Sequence, residues 1–323
     1  MRFLRFGTLF LLAAIGCQDP ATKQHHTDSG PISFPRKHDG TRPVQVVATT
    51  GMVADLVRHV GGDRVQVTQL LGAGVDPHLY KATSRDTGLL AKADLIVYSG
   101  HHLEGKMTEL FESLSRKVPT VSVTDRLPLS GLLKDEHGVV DPHVWFDVSL
   151  WSRGADVVRD ALVAYDAVHA DGYRERAKNY RAKLDALDVE TTARMKAIDA
   201  KQRVLVTSHD AFRYFGRRYE VEVRGIQGIT TEAEASVRDL QDLAAFLASR
   251  KIPAVFVESS VNPRNIEALR EGCKAKGHDV AVGGELFSDA MGAEGTPEGT
   301  YEGMIRKNVD TIAKALSGES RDR

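Results

Sequence analysis

The chain has 323 residues, 42% of them hydrophobic and 27% charged, which is a globular composition with length enough for two domains. Lys plus Arg number 43 against 44 Asp plus Glu, a formal charge of -1, so no general basic field exists to attract nucleic acid or an anionic membrane surface. The chain is long enough for its fold to rest on an apolar core.

The N-terminal stretch "MRFLRFGTLFLLAAIGC" carries Arg2 and Arg5, then a mostly apolar run from residue 6 to 15, then Gly16 and Cys17. That run is too short to span a bilayer and has the build of a secretory signal peptide over residues 1–17. Its end, Ala14-Ile15-Gly16-Cys17, resembles a bacterial lipobox, in which the cysteine is acylated and becomes the new N-terminus. The alternative is plain cleavage near Gly16 and a free periplasmic protein. The other cysteine, Cys273, lies in a helical pattern and reads as a small buried hydrophobe. With Cys17 acylated, no disulfide framework is available.

Residues 18–42 are rich in Pro, Gly, Asp and Thr and show neither helical nor strand period. They read as a flexible tether with a root-mean-square span on the order of 25 to 30 Å, its His25, His26 and His38 solvated.

Ordered sequence begins with "VQVVATT", a β-rich run, followed by "GMVADLVRHVGG", where Met52, Leu56 and Val60 recur at helical spacing. "VQVTQLL", "ADLIVYS" and "PTVSVT" read as further strands, with helices in "SRDTGLLAKA" and "EGKMTELFESLSRK". Strands separated by helices imply parallel pairing through right-handed crossovers. Residues 43–170 therefore form a first α/β lobe. From residue 171 to 199 the positions Tyr173, Ala177, Tyr180, Leu184, Leu187, Thr191, Met195 and Ile198 step by three or four, which predicts one amphipathic helix, a rod of roughly 40 Å. The strand–helix grammar then restarts over residues 200–318, with strands in "RVLVTS", "VEVRGI", "PAVFVES" and "HDVAVGG". The fold class is α/β: two parallel-sheet lobes joined by a long rigid helix, with a cleft between them.

Ligands of open α/β sheets bind at the carboxyl ends of strands. In the first lobe those ends lead to "VDPHLY" and "VDPHVW", the same phrase written twice, with His78 and His143. Proline fixes its own φ and extends the Asp before it, so each histidine is presented from stiff backbone, as a metal ligand requires. In the second lobe His209 ends "VLVTSH" and Asp289 follows "VAVGGELFS". Three imidazoles and one carboxylate suit zinc, manganese or iron. Four protein ligands nearly close the shell, which favours holding an ion over activating water on it. Asp76, Asp141 and Asp210 each stand within two residues of a candidate ligand, and one of them is placed to accept a second ring N–H.

Taken together, "DPHLY", "HHLEGKM", "DPHVWFD", "TSHDAFRYF", "RGIQGITTEAE", "VFVESSVNPRNIEAL", "GGELFSDAMG" and "GTYEGMIRKNV" resemble the metal-binding extracytoplasmic solute-binding proteins of bacterial ABC transporters for zinc, manganese or iron. The resemblance runs in order through most of residues 44 to 318. It implies a metal buried between two α/β lobes and held by His78, His143, His209 and Asp289. It also implies an ABC permease and its ATPase as partners, a monomer, and a place outside the cytoplasmic membrane, anchored through lipid on Cys17. The bound ion would be Zn2+, with Mn2+ second and Fe2+ also within the family's range, as a transported ligand.

The chain departs from the family pattern in places. "KATSRD" after His78 lacks the two prolines usual there, and the loop before His143 is short, with only His137. Arg213 stands where the family commonly has a small residue. Turned inward its charge would oppose a cation, so it is expected to face solvent. His101 and His102 are expected to open a helix with Glu104 near its positive end, His59, His169 and His278 to be solvated, and Trp145 and Trp151 to be core.

The competing readings are a zinc-dependent hydrolase and a metal-binding surface adhesin. The hydrolase needs a general base, for which Glu285 is the nearest spare carboxylate, yet no H-E-x-x-H motif is present. No catalytic residues are assigned, and the chain is read as a non-enzyme. A dinucleotide enzyme would need G-x-G-x-x-G after the first strand, which "VVATTGMVADL" lacks. Because the ligating imidazoles must be neutral, metal affinity is expected to fall as pH drops through about 6 to 7.

Overall fold

The computed structural model describes residues 30–317, so the signal segment, Cys17, His25 and His26 lie outside the described residues. The first lobe runs β1 (Val44–Ala48), α1 (Gly51–Gly61), β2 (Val65–Gln69), α2 (Ser84–Lys92), β3 (Leu95–Tyr98), α3 (Thr108–Ser115) and β4 (Thr120–Ser122). It closes with α4 (Val148–Trp151) and α5 (Gly154–Tyr165). The strands form one parallel sheet in the order β2-β1-β3-β4, with Val46 paired to Val67 on one side and to Leu95 on the other. Central β1 is nearly all apolar and buried, as a parallel strand covered on both faces must be. Thr50 caps α1, and Thr83 with Asp86 forms a capping box on α2, so both helices start where orphan N–H groups find side-chain acceptors.

Helix α6 (Ala170–Lys196) runs 27 residues without a break and leads into the second lobe. There the order is β5 (Val204–His209), α7 (Arg213–Tyr219), β6 (Glu222–Gln227), α8 (Val237–Arg250), β7 (Ala254–Glu258), α9 (Arg264–Ala275), β8 (Ala281–Leu286) and α10 (Tyr301–Ser317). β5 pairs with β6 and β7 with β8, all parallel, and β5 lies against β7. One hydrophobic cluster extends from Val46 through Trp151 and Leu184 to Tyr301 and Leu316, so the strut and both lobes share packing. Buried Asp55 of α1 reinforces this junction, accepting a hydrogen bond from Tyr180 Oη of α6 and one from Tyr301 N, 3.3 Å away, at the head of α10.

The α/β class with parallel sheets is as expected, while several local expectations are corrected. The tether does not extend to residue 42. Ile32 and Phe34 pack on the first lobe, Lys37 Nζ donates to Ala164 O at 2.6 Å, and His38 N donates to Tyr165 O at 2.7 Å. The His38 ring is buried 3.9 Å from Asp166 rather than solvated. Averaged composition hides two apolar residues among Pro and Gly, and those two supply the area that holds the segment down. Helix α3 begins at Thr108, because Glu104 turns inward, where it accepts from Thr49 Oγ1 at 2.6 Å and Ser99 N at 2.8 Å. Burial raises its pKa despite those bonds. Helices α5 and α7 were not anticipated, and neither has a capping side chain to announce its start. His59 stacks on Tyr180 with ring centroids 4.0 Å apart, and His278 Nε2 lies 2.7 Å from Ile252 O, so both are partly buried rather than solvated.

Candidate metal centre

The two Asp-Pro-His phrases fold alike. Asp76 Oδ1 accepts from His78 N at 2.8 Å and Asp141 Oδ1 accepts from His143 N at 3.0 Å, so each aspartate closes a tight turn over its proline and aims the histidine that follows. His78 sits in the loop after β2 and His143 just before a short helical turn over Val144–Phe146. From the second lobe, His209 is the last residue of β5 and Asp289 stands three residues past β8. Trp145 Nε1 donates to Ser288 O at 3.1 Å, and Tyr301 Oη donates to Trp145 O at 2.6 Å, fixing the Asp289 segment against the first lobe. Both tryptophans are core, as expected.

The structure brings these four side chains together, with one donor atom from each and all four within 4.8 Å of one another. His143 Nε2 lies 3.4 Å from His78 Nε2, 3.3 Å from His209 Nε2 and 3.3 Å from Asp289 Oδ1. His209 Nε2 lies 3.3 Å from Asp289 Oδ2, and His78 Nε2 lies 3.8 Å from it. A tetrahedron of donors around an ion at about 2.0–2.1 Å has edges of roughly 3.4 Å, so this spacing suits a first-row dication. All four side chains are buried, and neither carboxylate oxygen of Asp289 has a hydrogen-bond partner. A buried carboxylate with two unpartnered oxygens facing three imidazoles is a poor structural element and a good ligand.

Electrostatics distinguish the three rings. Burial alone dominates at His78 and lowers its pKa to about 4. Burial also opposes the charged form of His143, but Asp141 and Asp289 outweigh it and raise the pKa to about 9. At His209 the same opposition is overcome by Glu258 and Asp289, which hold it well above the ordinary imidazole value. Asp289 is correspondingly held well below the carboxylate range, since His209 and His143 outweigh its burial.

Of the three aspartates considered as ring acceptors, Asp141 fills the role, with its Oδ1 2.8 Å from His143 Nδ1. Asp76 instead accepts from Thr231 Oγ1 of the second lobe at 2.6 Å, and Asp210 faces Arg213 Nε at 3.6 Å. The acceptor for His209 is one that sequence reading missed: Glu258, at the end of β7, takes His209 N at 2.9 Å and stands 2.6 Å from His209 Nδ1. Its signal in the sequence was a glutamate closing the apolar run "AVFVE", where a buried charge requires a partner. Arg213 is also corrected. It does not face solvent but is part-buried, with Nη1 3.4 Å from Asp141 Oδ2 and Nη2 donating to Lys134 O at 3.0 Å. Its charge meets a carboxylate before it meets the cluster. His101 pairs with Asp125 at 2.9 Å, His102 and His137 are exposed, and none of the three joins the four donors. Glu285 is exposed on β8 and does not join them either.

Residues 46–315 match the family described as ZnuA, the periplasmic component A of a zinc-uptake complex. The chain is 48% identical over 272 residues to the zinc-binding protein TroA of Treponema pallidum, covering 84% of this chain and 88% of that one. It is 46% identical over 274 residues to the manganese-binding lipoprotein MntA of Bacillus subtilis, covering 84% and 90%. The solved structure of the periplasmic zinc-binding protein TroA superposes with a TM-score of 0.83, over 85% of this chain and 99% of that one. That likeness carries the two-lobed arrangement.

Proposed function

Since this chain belongs to the ZnuA family of periplasmic zinc-uptake components, we propose that it captures one divalent transition metal ion outside the cytoplasmic membrane and delivers it to an ABC permease and its ATPase for import. The observation that carries this reading is the buried set His78, His143, His209 and Asp289, at spacings fit for a single ion. Each lobe supplies two of the four ligands, so binding ties the lobes together. No step of chemistry is needed: the protein exchanges the ion's water shell for a fixed set of donors and holds it until the permease takes it.

Zinc is the first choice, because three imidazoles suit it, and manganese the second. The manganese reading has its own support, since both Asp289 oxygens are free and a bidentate carboxylate would raise the donor count to five. Close relatives carry either name, one zinc-binding and one manganese-binding, at nearly equal identity. Anchoring through Cys17 is supported by the lipobox-like residues 14–17 and by the naming of MntA as a lipoprotein.

Titration calorimetry on metal-stripped protein tests the site. Wild type takes one zinc per chain and His143→Ala takes none at the same concentrations. Unit stoichiometry retained in His143→Ala rejects the ligand set, and absence of zinc and manganese binding by the wild type rejects the function.

A further inference from the structure

The contacts of Arg213 cross the cleft. It lies four residues beyond His209, at the start of α7 in the second lobe, yet its fork engages Asp141 Oδ2 and Lys134 O, both in the first. Asp141 is fully buried, and its other oxygen is already taken by His143 N and Nδ1. Leaving the second oxygen of a buried carboxylate unengaged is costly, and among the described side chains Arg213 is the one that engages Asp141 Oδ2. The next residue repeats the grip: Tyr214 Oη donates to Asp141 O at 2.9 Å and accepts from Leu133 N at 3.0 Å.

We propose that Arg213 is a positioning residue for the metal site: from the segment that carries His209 it pins Asp141, and through Asp141 it sets the His143 ring so that Nε2 faces the ion. This rests on the metal-receptor reading and deepens it. The guanidinium stands behind the carboxylate, so its charge is spent on Asp141 rather than on the cation, and one side chain links the ligands of opposite lobes. Lysine cannot substitute fully, because a single ammonium cannot span both acceptors as the planar fork does.

The test is a double-mutant cycle in zinc affinity, measured by chelator competition, with the rate of zinc release as a second readout. Partners that orient a metal-bound histidine are worth 10- to 100-fold in affinity, and Arg213 acts one contact further out. Arg213→Gln is therefore expected to weaken zinc about tenfold, with faster release accounting for most of the change. Arg213→Lys is expected to fall between it and wild type. If Arg213 acts through Asp141, adding Arg213→Gln to Asp141→Asn costs little further affinity, whereas a general structural role would add its full effect. Wild-type affinity in Arg213→Gln, or an undiminished loss on the Asp141→Asn background, overturns the proposal. Should the Gln variant not fold, the same cycle with Arg213→Lys decides it by the same criteria. If wild type binds no zinc or manganese, the receptor reading falls and this proposal with it; if wild type binds and Arg213→Gln binds equally well, only the role of Arg213 is lost.

Discussion

His143 and His209 are the residues whose environment most changes what the sequence led one to expect. An unperturbed imidazole would lose metal affinity through about pH 6 to 7. In the folded protein His143 is raised to about 9, with burial overcome by Asp141 and Asp289, and His209 is raised by Glu258 and Asp289. His143 therefore carries at neutral pH an extra proton that an incoming ion must displace, and His209 is shifted in the same direction, while His78, lowered to about 4, is already neutral. The sign follows: as pH rises toward 9 the competing protons leave and affinity increases, and as pH falls from 9 affinity weakens well before pH 7. Calorimetry of zinc binding at pH 7 in two buffers of different ionisation enthalpy should show on the order of one to two protons released per ion. Heats that do not depend on the buffer would contradict it. The four candidate ligands were legible as a set because stiff Asp-Pro-His turns and strand ends are local features. Glu258 was not, because its partner His209 lies 49 positions away in the chain.

Among the elements, α6 sets how the receptor can move. Its buried positions step by three and four from Tyr173 to Met195, and they pack on α1 and α5 of the first lobe and on α10 of the second. A helix so held resists bending, since any kink would break its internal hydrogen bonds and open packing on two sides. Loading and unloading should then shift the lobes by small sliding motions, on the order of 1–2 Å, rather than by wide opening. Spin labels at Lys92→Cys, at the end of α2, and Val237→Cys, at the start of α8, sit on exposed positions of opposite lobes. Their mean separation is expected to change by that amount when zinc is added, and a displacement several times larger would place a hinge within or beside α6. The strut was readable because an unbroken period of 3.6 leaves few alternatives. Helices α5 and α7 begin without a capping side chain, as α6 does, and unlike the 27 residues of α6 they run for only 12 and 7 residues, which leaves a weaker periodic signal.

For the whole molecule, an anchor on Cys17, as proposed above, would set where capture happens. The folded part begins by residue 32, where Ile32 packs on the first lobe, so about 14 residues separate it from Cys17. At most ~3.6 Å per residue, that length keeps Ile32 within about 50 Å of an attachment at Cys17. Mass spectrometry of the protein extracted from membranes should find an acylated N-terminal Cys17, and Cys17→Ala should appear in the soluble extracytoplasmic fraction. An unmodified N-terminus near residue 17 would remove the anchor while leaving the metal site untouched.

By itself the sequence determined the α/β class, the eight parallel strands, the strut and the four residues suited to an ion. Periodicity, turn chemistry and strand ends are written within a few residues of chain. Only the tertiary structure decided that Glu258 serves His209, that residues 32–42 belong to the folded body, and that Arg213 reaches across the cleft instead of facing solvent. Those outcomes depend on distances between segments tens to hundreds of residues apart, and burial and charge balance at such meetings are fixed by packing rather than by local pattern.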